Sequence, residues 1–240
     1  MLERQIRPVR LVPEPKPGGV RVLAHLDPVA AAGYAAAVAP LVEAIESALL
    51  PNVVANRVAE VRTRPPAIRL EAWAGARGRF RVLVEHLAAT AGGALVTDVR
   101  DFYGSIAPPV LARALDRVGC GAMDVRRAVD AVRRMSVHGV RGLPIGPEAS
   151  AVLANAVLVA VDRDLASAGF QHVRWVDDLV VFTPDPAGAG AALEVVTRAL
   201  ALLRLRPAPE KTRVVDDARS LVLGTTVASG AQPRSGRVRG

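Results

Sequence analysis

The sequence is poor in cysteine, poor in aromatics and free of long uncharged apolar runs. Cys120 is the only cysteine, so an intramolecular disulfide is impossible and a cysteine-rich metal site is excluded. It reads as a small buried residue. The chain has two Trp, two Tyr and four Phe in 240 residues, so the adjacent Phe102 and Tyr103 stand out. Although 51% of the chain is hydrophobic, Asp, Glu, Arg or Pro interrupts every Ala-rich segment before the ~18 residues that a membrane span requires. The N-terminal MLERQIRPVR is charged and no apolar core follows it, which excludes a secretory signal. The expectation is a soluble cytoplasmic protein with no membrane partner. Four histidines, His25, His86, His138 and His172, lack zinc-ligand spacing and read as structural or exposed. Any metal site must be built from oxygen.

What the chain has in excess is arginine. Lys plus Arg number 31 against 23 for Asp plus Glu, a formal charge of +8. Guanidinium groups suit bidentate contacts to phosphate, so a polyanionic partner is favoured over a neutral metabolite. Enrichment in Ala, Arg, Val and Gly also fits a coding bias, so charge alone does not decide the matter. The length allows one large domain or two small lobes, either able to bury a core.

The segment RPVRLVPEPKPGGVRVLAHLDP reads as strand, turn at Gly18-Gly19, strand. Helices are predicted over 30–38 and 41–50, then a Pro- and Arg-rich region over 51–66, then a helix over 79–91 with Phe80, Leu83, Val84 and Leu87 on one face. A strand in GGALVTD ends near Asp98. Helices follow at 108–118, 124–135 and 147–166, the last apolar enough to be largely buried, and a further amphipathic helix covers 187–205. HVRWVDDLVVF lies between the last two as a strand pair, and short strands are predicted at 213–215 and 221–227. From Ala94 onward this order suits a small antiparallel sheet backed by helices on one face, an α+β arrangement. No internal repeat is present, and the Gly- and Arg-rich residues beyond Ser229 read as a disordered basic tail.

Asp177 and Asp178 stand between two apolar strands. Asp is a common turn former, and two of them can simply close a hairpin. Closely spaced carboxylates also repel each other, and a divalent cation relieves that repulsion. The second reading needs a third acid, and Asp98 at the end of its strand supplies one. If that strand neighbours the hairpin, the three acids meet at one sheet edge and can hold two Mg²⁺ (or Mn²⁺) ions. Two ions about 3.5 to 4 Å apart can activate a 3′-hydroxyl and stabilise a leaving pyrophosphate.

Several ordered blocks carry a resemblance to the reverse transcriptase (RNA-directed DNA polymerase) family. TDVRDFYGSI resembles the first metal-binding motif of the palm, GLPIGPEASAVLANAVL the Gly-Leu-Pro-x-Gly block, and RWVDDLVVF the Tyr-x-Asp-Asp hairpin. EKTRVV and LVLGTTV resemble the closing Lys and Leu-Gly elements, and VPEPKPGGVRVLAHLDP the fingers hairpin of bacterial members. The blocks span most of residues 8 to 227. The resemblance implies a polymerase palm over 94–228, a fingers-like region over 1–93 and a tail over 229–240. It implies that Asp98, Asp177 and Asp178 are the catalytic metal ligands. Tyr103 would be the aromatic gate that excludes a 2′-hydroxyl, and Arg21, with Lys16 beside it, would grip the incoming triphosphate. Gly142, Pro144 and Gly146 would form the loop near nucleotide and template, and Lys211 would assist the leaving pyrophosphate. Implied partners are deoxynucleoside triphosphates, an RNA template and a DNA or RNA primer.

The departures are informative. Trp175 replaces the usual Tyr and Val176 the usual small residue, which changes the expected contacts to the primer end. Ile145 in Gly-Leu-Pro-Ile-Gly-Pro is similar to abortive-infection and defence-associated bacterial members, which suggests phage defence. After the Leu-Gly element too few residues remain for a helical thumb, so no thumb is evident, and self-association, a thumb-supplying partner protein or a bound RNA is expected to assist processivity. Two alternatives stay open: a template-independent or protein-primed DNA polymerase, for which Tyr34 is the tyrosine without a site role, and a non-catalytic nucleic-acid-binding subunit of a larger complex.

Overall fold

The computed structural model describes residues 9–16 and 19–223. The expectations for Gly18, for the Leu-Gly element at Gly224 and for the tail lie outside the described residues. Strands β1 (Arg10–Lys16) and β2 (Gly19–His25) form an antiparallel hairpin in the register Lys16↔Gly19 to Arg10↔His25. The hairpin is anchored at its base, where the Ala24 N–H donates to the Ile145 carbonyl at 2.8 Å. Asp27 then caps α1 (Pro28–Val38): its Oδ1 accepts from the N–H groups of Val29 and Ala30 at 2.9 Å, and Pro28 sits where no N–H is needed. A 3₁₀ turn at Ala39–Leu41 leads to α2 (Val42–Ala48). The run Pro28–Ala48 is long and apolar enough, with mean hydropathy 1.5, to cross a membrane by composition. Here it turns Tyr34, Val38, Leu41 and Ile45 into the protein core, as a core helix does.

The Pro- and Arg-rich region over 51–66, for which no element was predicted, leads into an antiparallel hairpin of β3 (Val58–Thr63) and β4 (Pro66–Leu70). Ile68 is its buried residue. Helix α3 (Trp73–Ala88) begins at Trp73 rather than Arg79, because burial of Ala76 and Phe80 outweighs the weak helix preference of Gly75 and Gly78. Next come β5 (Gly93–Thr97), a one-turn α4 (Phe102–Ser105), α5 (Pro108–Arg117), α6 (Ala122–Ser136) and α7 (Glu148–Ser167). The chain continues through β6 (Gln171–Trp175), β7 (Asp178–Thr183), α8 (Gly188–Leu202), β8 (Arg213–Val215) and α9 (Ser220–Leu223). Residues 220–223, the described part of the strand expected over 221–227, are therefore helical, with Leu221 buried among side chains that include those of α3.

The central sheet has the order β6-β7-β5-β8, with every neighbouring pair antiparallel. Side-chain alternation divides β7 between two cores. Leu179 and Val181 join the core of α1 and α5–α8, whereas Val180 and Phe182 join Phe80, Val84 and Leu221. The sheet is thus covered on both faces, α3 and α9 taking the side that was expected to be bare. This explains why β7 is an unbroken apolar run: a strand buried on both faces has no solvent side on which to alternate. At the far end of β5 the chains nearly touch, since a Cβ on Gly92 would lie 2.2 Å from the Pro184 carbonyl oxygen.

Candidate active site

Register brings the acids together. Thr97 of β5 pairs with Leu179 of β7, and Trp175 of β6 pairs with Asp178. The residue after β5, Asp98, therefore reaches the same sheet edge as the turn between β6 and β7. Candidate ligand oxygens of Asp98, Asp177 and Asp178 all lie within 4.8 Å of one another. The third wall comes from the segment leading toward β8: the Ala208 N–H donates to the Asp98 carbonyl at 2.8 Å, and the Arg100 N–H donates to the Arg206 carbonyl at 3.0 Å. The turn after Ala208 delivers Lys211, whose Nζ donates to Asp98 Oδ2 at 2.5 Å. Thr97 and Thr212 hydroxyls, 2.7 Å apart, tie the two segments just behind this pair.

Three acids and one partly exposed lysine leave negative charge uncompensated. Burial, joined by the Asp98 charge, pushes the Asp177 carboxyl up to about 7. Burial, with the charges of Asp177 and Asp98, pushes Asp178 up to about 8. Burial alone would lower the Lys211 ammonium, but its bond to Asp98 and the three acidic charges more than offset this and raise it. A donor set of carboxylates that resist ionising without a cation fits Mg²⁺ or Mn²⁺, which take oxygen ligands.

The other sequence-predicted residues gather around this edge unequally. Tyr103 in α4 stands edge-on to Phe102 at 5.5 Å. Burial pushes its hydroxyl well above the usual range, and the Asp177 charge acts in the same direction. The Gly-Leu-Pro loop is docked on this residue, with the Leu143 N–H donating to the Tyr103 carbonyl at 2.9 Å. Gly142 has φ +60, and a Cβ there would meet the Tyr103 oxygen at 2.1 Å, so only glycine permits the contact. Pro144 is buried and Gly146 is exposed with φ +125, at the point where Ile145 receives the β1–β2 hairpin. Of the two hairpin cations, Lys16 is the one whose charge acts on Asp177. Arg21 instead faces Glu14 across the hairpin at 3.4 Å.

Two features differ from the sequence reading or escaped it. Trp175 does not offer its ring to a primer end: it is buried, edge-on to Trp73 at 6.0 Å and to Phe80 at 5.7 Å. Behind the acidic turn lies a buried polar cluster of Arg174, Asp162, His172 and Asn155. The Arg174 Nε donates to Asp162 Oδ1 at 2.9 Å and its second terminal nitrogen to Oδ2 at 2.7 Å, and His172 Nε2 lies 3.2 Å from the same carboxylate. Burial would raise the Asp162 carboxyl, but the Arg174 charge and these hydrogen bonds hold it below its usual value. The sequence signal was present: Asp162 interrupts a helix apolar on all sides, and His172 and Arg174 alternate onto one strand face.

Comparison with known proteins agrees with this geometry. The profile of the family described as reverse transcriptase (RNA-dependent DNA polymerase) matches residues 42–227. Among solved structures, telomerase from Candida albicans in complex with a TWJ fragment of telomeric RNA is similar at a TM-score of 0.53 and 13% identity. The match covers 90% of this chain and 43% of that one, a likeness of fold over less than half of the larger protein. No curated protein matches.

Proposed function

The chain belongs to the reverse transcriptase (RNA-dependent DNA polymerase) family, and from that premise we propose that it is a nucleotidyltransferase adding deoxynucleotides to a 3′ end on an RNA template. The observation that carries the reading is the convergence of Asp98, at the end of β5, with Asp177 and Asp178 of the β6–β7 hairpin on one edge. These three carboxylates would hold two divalent cations, which when bound supply Lewis-acid activation of the 3′-hydroxyl and charge stabilisation of the leaving pyrophosphate. Lys211, kept protonated by Asp98, would donate a proton or a charge-assisted hydrogen bond to that pyrophosphate. Lys16 and Arg21 on the hairpin would bind the triphosphate. The Tyr103 ring would exclude a 2′-hydroxyl, and the Gly142–Gly146 loop would let backbone approach the nucleotide. The net charge of +8 suits a duplex of phosphate backbones.

A purely non-catalytic role is disfavoured energetically. Holding Asp177 and Asp178 together in a half-buried turn costs stability at neutral pH, a cost that a scaffold would shed by substitution. Priming from a tyrosine hydroxyl is disfavoured as well, because Tyr34 is buried and its hydroxyl lies 3.1 Å from Ser150 Oγ. A fingers-like 1–93 and palm 94–228, a cytoplasmic setting in phage defence, and a partner or second copy that steadies the duplex complete the proposal. The test is primer extension by the purified chain with Mg²⁺ or Mn²⁺. Templated deoxynucleotide incorporation that vanishes in Asp177→Asn/Asp178→Asn supports it. Activity retained in that variant refutes the site, and random or homopolymeric product favours untemplated synthesis.

A further inference from the structure

The Val176–Asp177 turn is held from inside the protein. Val176 has φ +56, a left-handed conformation that a β-branched residue adopts only when its surroundings impose it. The surroundings here include one guanidinium. Arg174 is fully buried, and two of its nitrogens are taken up by Asp162. Its remaining terminal nitrogen donates to the Val176 carbonyl at 2.7 Å and to Asn155 Oδ1 at 3.0 Å. That carbonyl belongs to the peptide leading directly into Asp177.

The same cluster reaches the gate. The Asn155 side-chain amide donates to the carbonyls of Ala55 at 3.1 Å and Asn56 at 3.2 Å. Asn56 in turn has φ +58, and its side chain acts on the Tyr103 hydroxyl. Residues 52–54 are laced to β6 as well: the Arg174 N–H donates to the Asn52 carbonyl at 3.0 Å, the Val54 N–H donates to the Arg174 carbonyl at 3.2 Å, and the Asn52 amide donates to the His172 carbonyl at 2.7 Å. A hydrogen-bonded path thus runs from the backbone of residues 55–56 through Asn155 and Arg174 to the peptide before Asp177.

We propose that Arg174 is a positioning residue, whose guanidinium, clamped by Asp162 and Asn155, fixes the Val176 carbonyl and so sets Asp177 against Asp98 in register with Tyr103. The inference rests on the active-site reading given under the proposed function. Core stability alone gives no reason for the arrangement, because a buried ion pair is often replaceable by apolar side chains without loss of stability. An apolar side chain, however, offers no donor to Val176. Lysine does not serve either, since a single ammonium cannot bridge Asp162, Asn155 and Val176 in the geometry of a planar fork.

Two variants test this: Arg174→Lys, which keeps the buried charge beside Asp162, and Arg174→Met/Asp162→Asn, which removes both charges while leaving His172 an acceptor. Melting temperature reports folding, calorimetry with MnCl₂ alone reports cation affinity, and primer extension gives kcat and the deoxynucleotide KM. Folded variants are expected to lose about 10-fold to 100-fold in Mn²⁺ affinity and in kcat, the range for residues that orient metal ligands, with KM nearly unchanged. A folded Arg174→Met/Asp162→Asn protein with wild-type Mn²⁺ affinity and kcat would show that Arg174 only stabilises the core, overturning the inference. If the wild type itself binds no Mn²⁺, the active-site reading fails and this inference with it, a result distinct from loss confined to the Arg174 variants.

Discussion

Replacing Asp177 and Asp178 by asparagine should stabilise the cation-free protein at pH 8, although it removes the proposed catalytic acids. The carboxyls of Asp177 and Asp178 are pushed up to about 7 and about 8 by burial and by their neighbours' charge. In the unfolded chain an aspartate ionises near 3.9. The folded state therefore binds more protons than the unfolded state over the interval between, and stability falls as pH rises through it. The contribution of these acids is fully present below about pH 4 and is lost as pH passes about 7 to 8. The slope is between about 1 and 3 kcal/mol per pH unit, one proton setting the lower figure and both the upper. In a chain of this length each kcal/mol moves the melting temperature by about 2 to 4 °C. Asparagine mimics the protonated acid, so the double variant should melt several degrees above wild type at pH 8 in chelator, and the difference should shrink toward pH 5. Adding Mg²⁺ or Mn²⁺ at about a hundred times its dissociation constant should then raise the wild type by about 3 kcal/mol at pH 8, less at pH 6 where protons compete, and the variant hardly at all. Differential scanning fluorimetry from pH 5 to 8 provides the measurement. A variant less stable than wild type at pH 8 without cation, or one stabilised equally by Mn²⁺, would refute the electrostatic account.

Further outcomes follow from individual contacts. Lys211→Met should lower kcat by about 100-fold if the ammonium serves the leaving group, with little change in melting temperature because its side chain is 55% exposed; unchanged kcat would remove the role. Tyr103→Ala should reduce the preference for deoxynucleotides over ribonucleotides at least about 10-fold, read from the ratio of kcat/KM values, and an unaltered ratio would show that the ring is not the gate. Gly142→Ala forces a Cβ to 2.1 Å from the Tyr103 carbonyl oxygen at φ +60, so unfolding titrations should show a loss of about 3 kcal/mol; a neutral result would mean that the loop is not docked on Tyr103.

The acids, Tyr103 and the glycine loop were legible because each is a local pattern, and strand order places the acids. Once GALVT and DLVVFT are neighbouring antiparallel strands, Asp98 and Asp178 must lie at one edge. The β3–β4 hairpin was hidden because Pro65 and Pro66 punctuate it and Glu60, Arg62 and Arg69 break up its apolar residues, leaving little alternation to read. The early turns of α3 were masked by Gly75 and Gly78, whose weak helix preference is overridden by burial against the sheet. Arg174 was passed over, since its burial depends on Asp162 in a helix and on residues 52–54 paired with β6, contacts distant in sequence. Trp175 was misplaced for the same reason: its cover, Trp73 and Phe80, comes from a helix distant in sequence.

Mn²⁺ binding to the purified chain, compared with Asp98→Asn and with Asp177→Asn, tests the central claim most directly. One follows β5 and the other lies in the β6–β7 turn, and they share only the edge where their oxygens meet, so the account predicts that either substitution alone abolishes high-affinity binding. Wild-type affinity in either variant would contradict it.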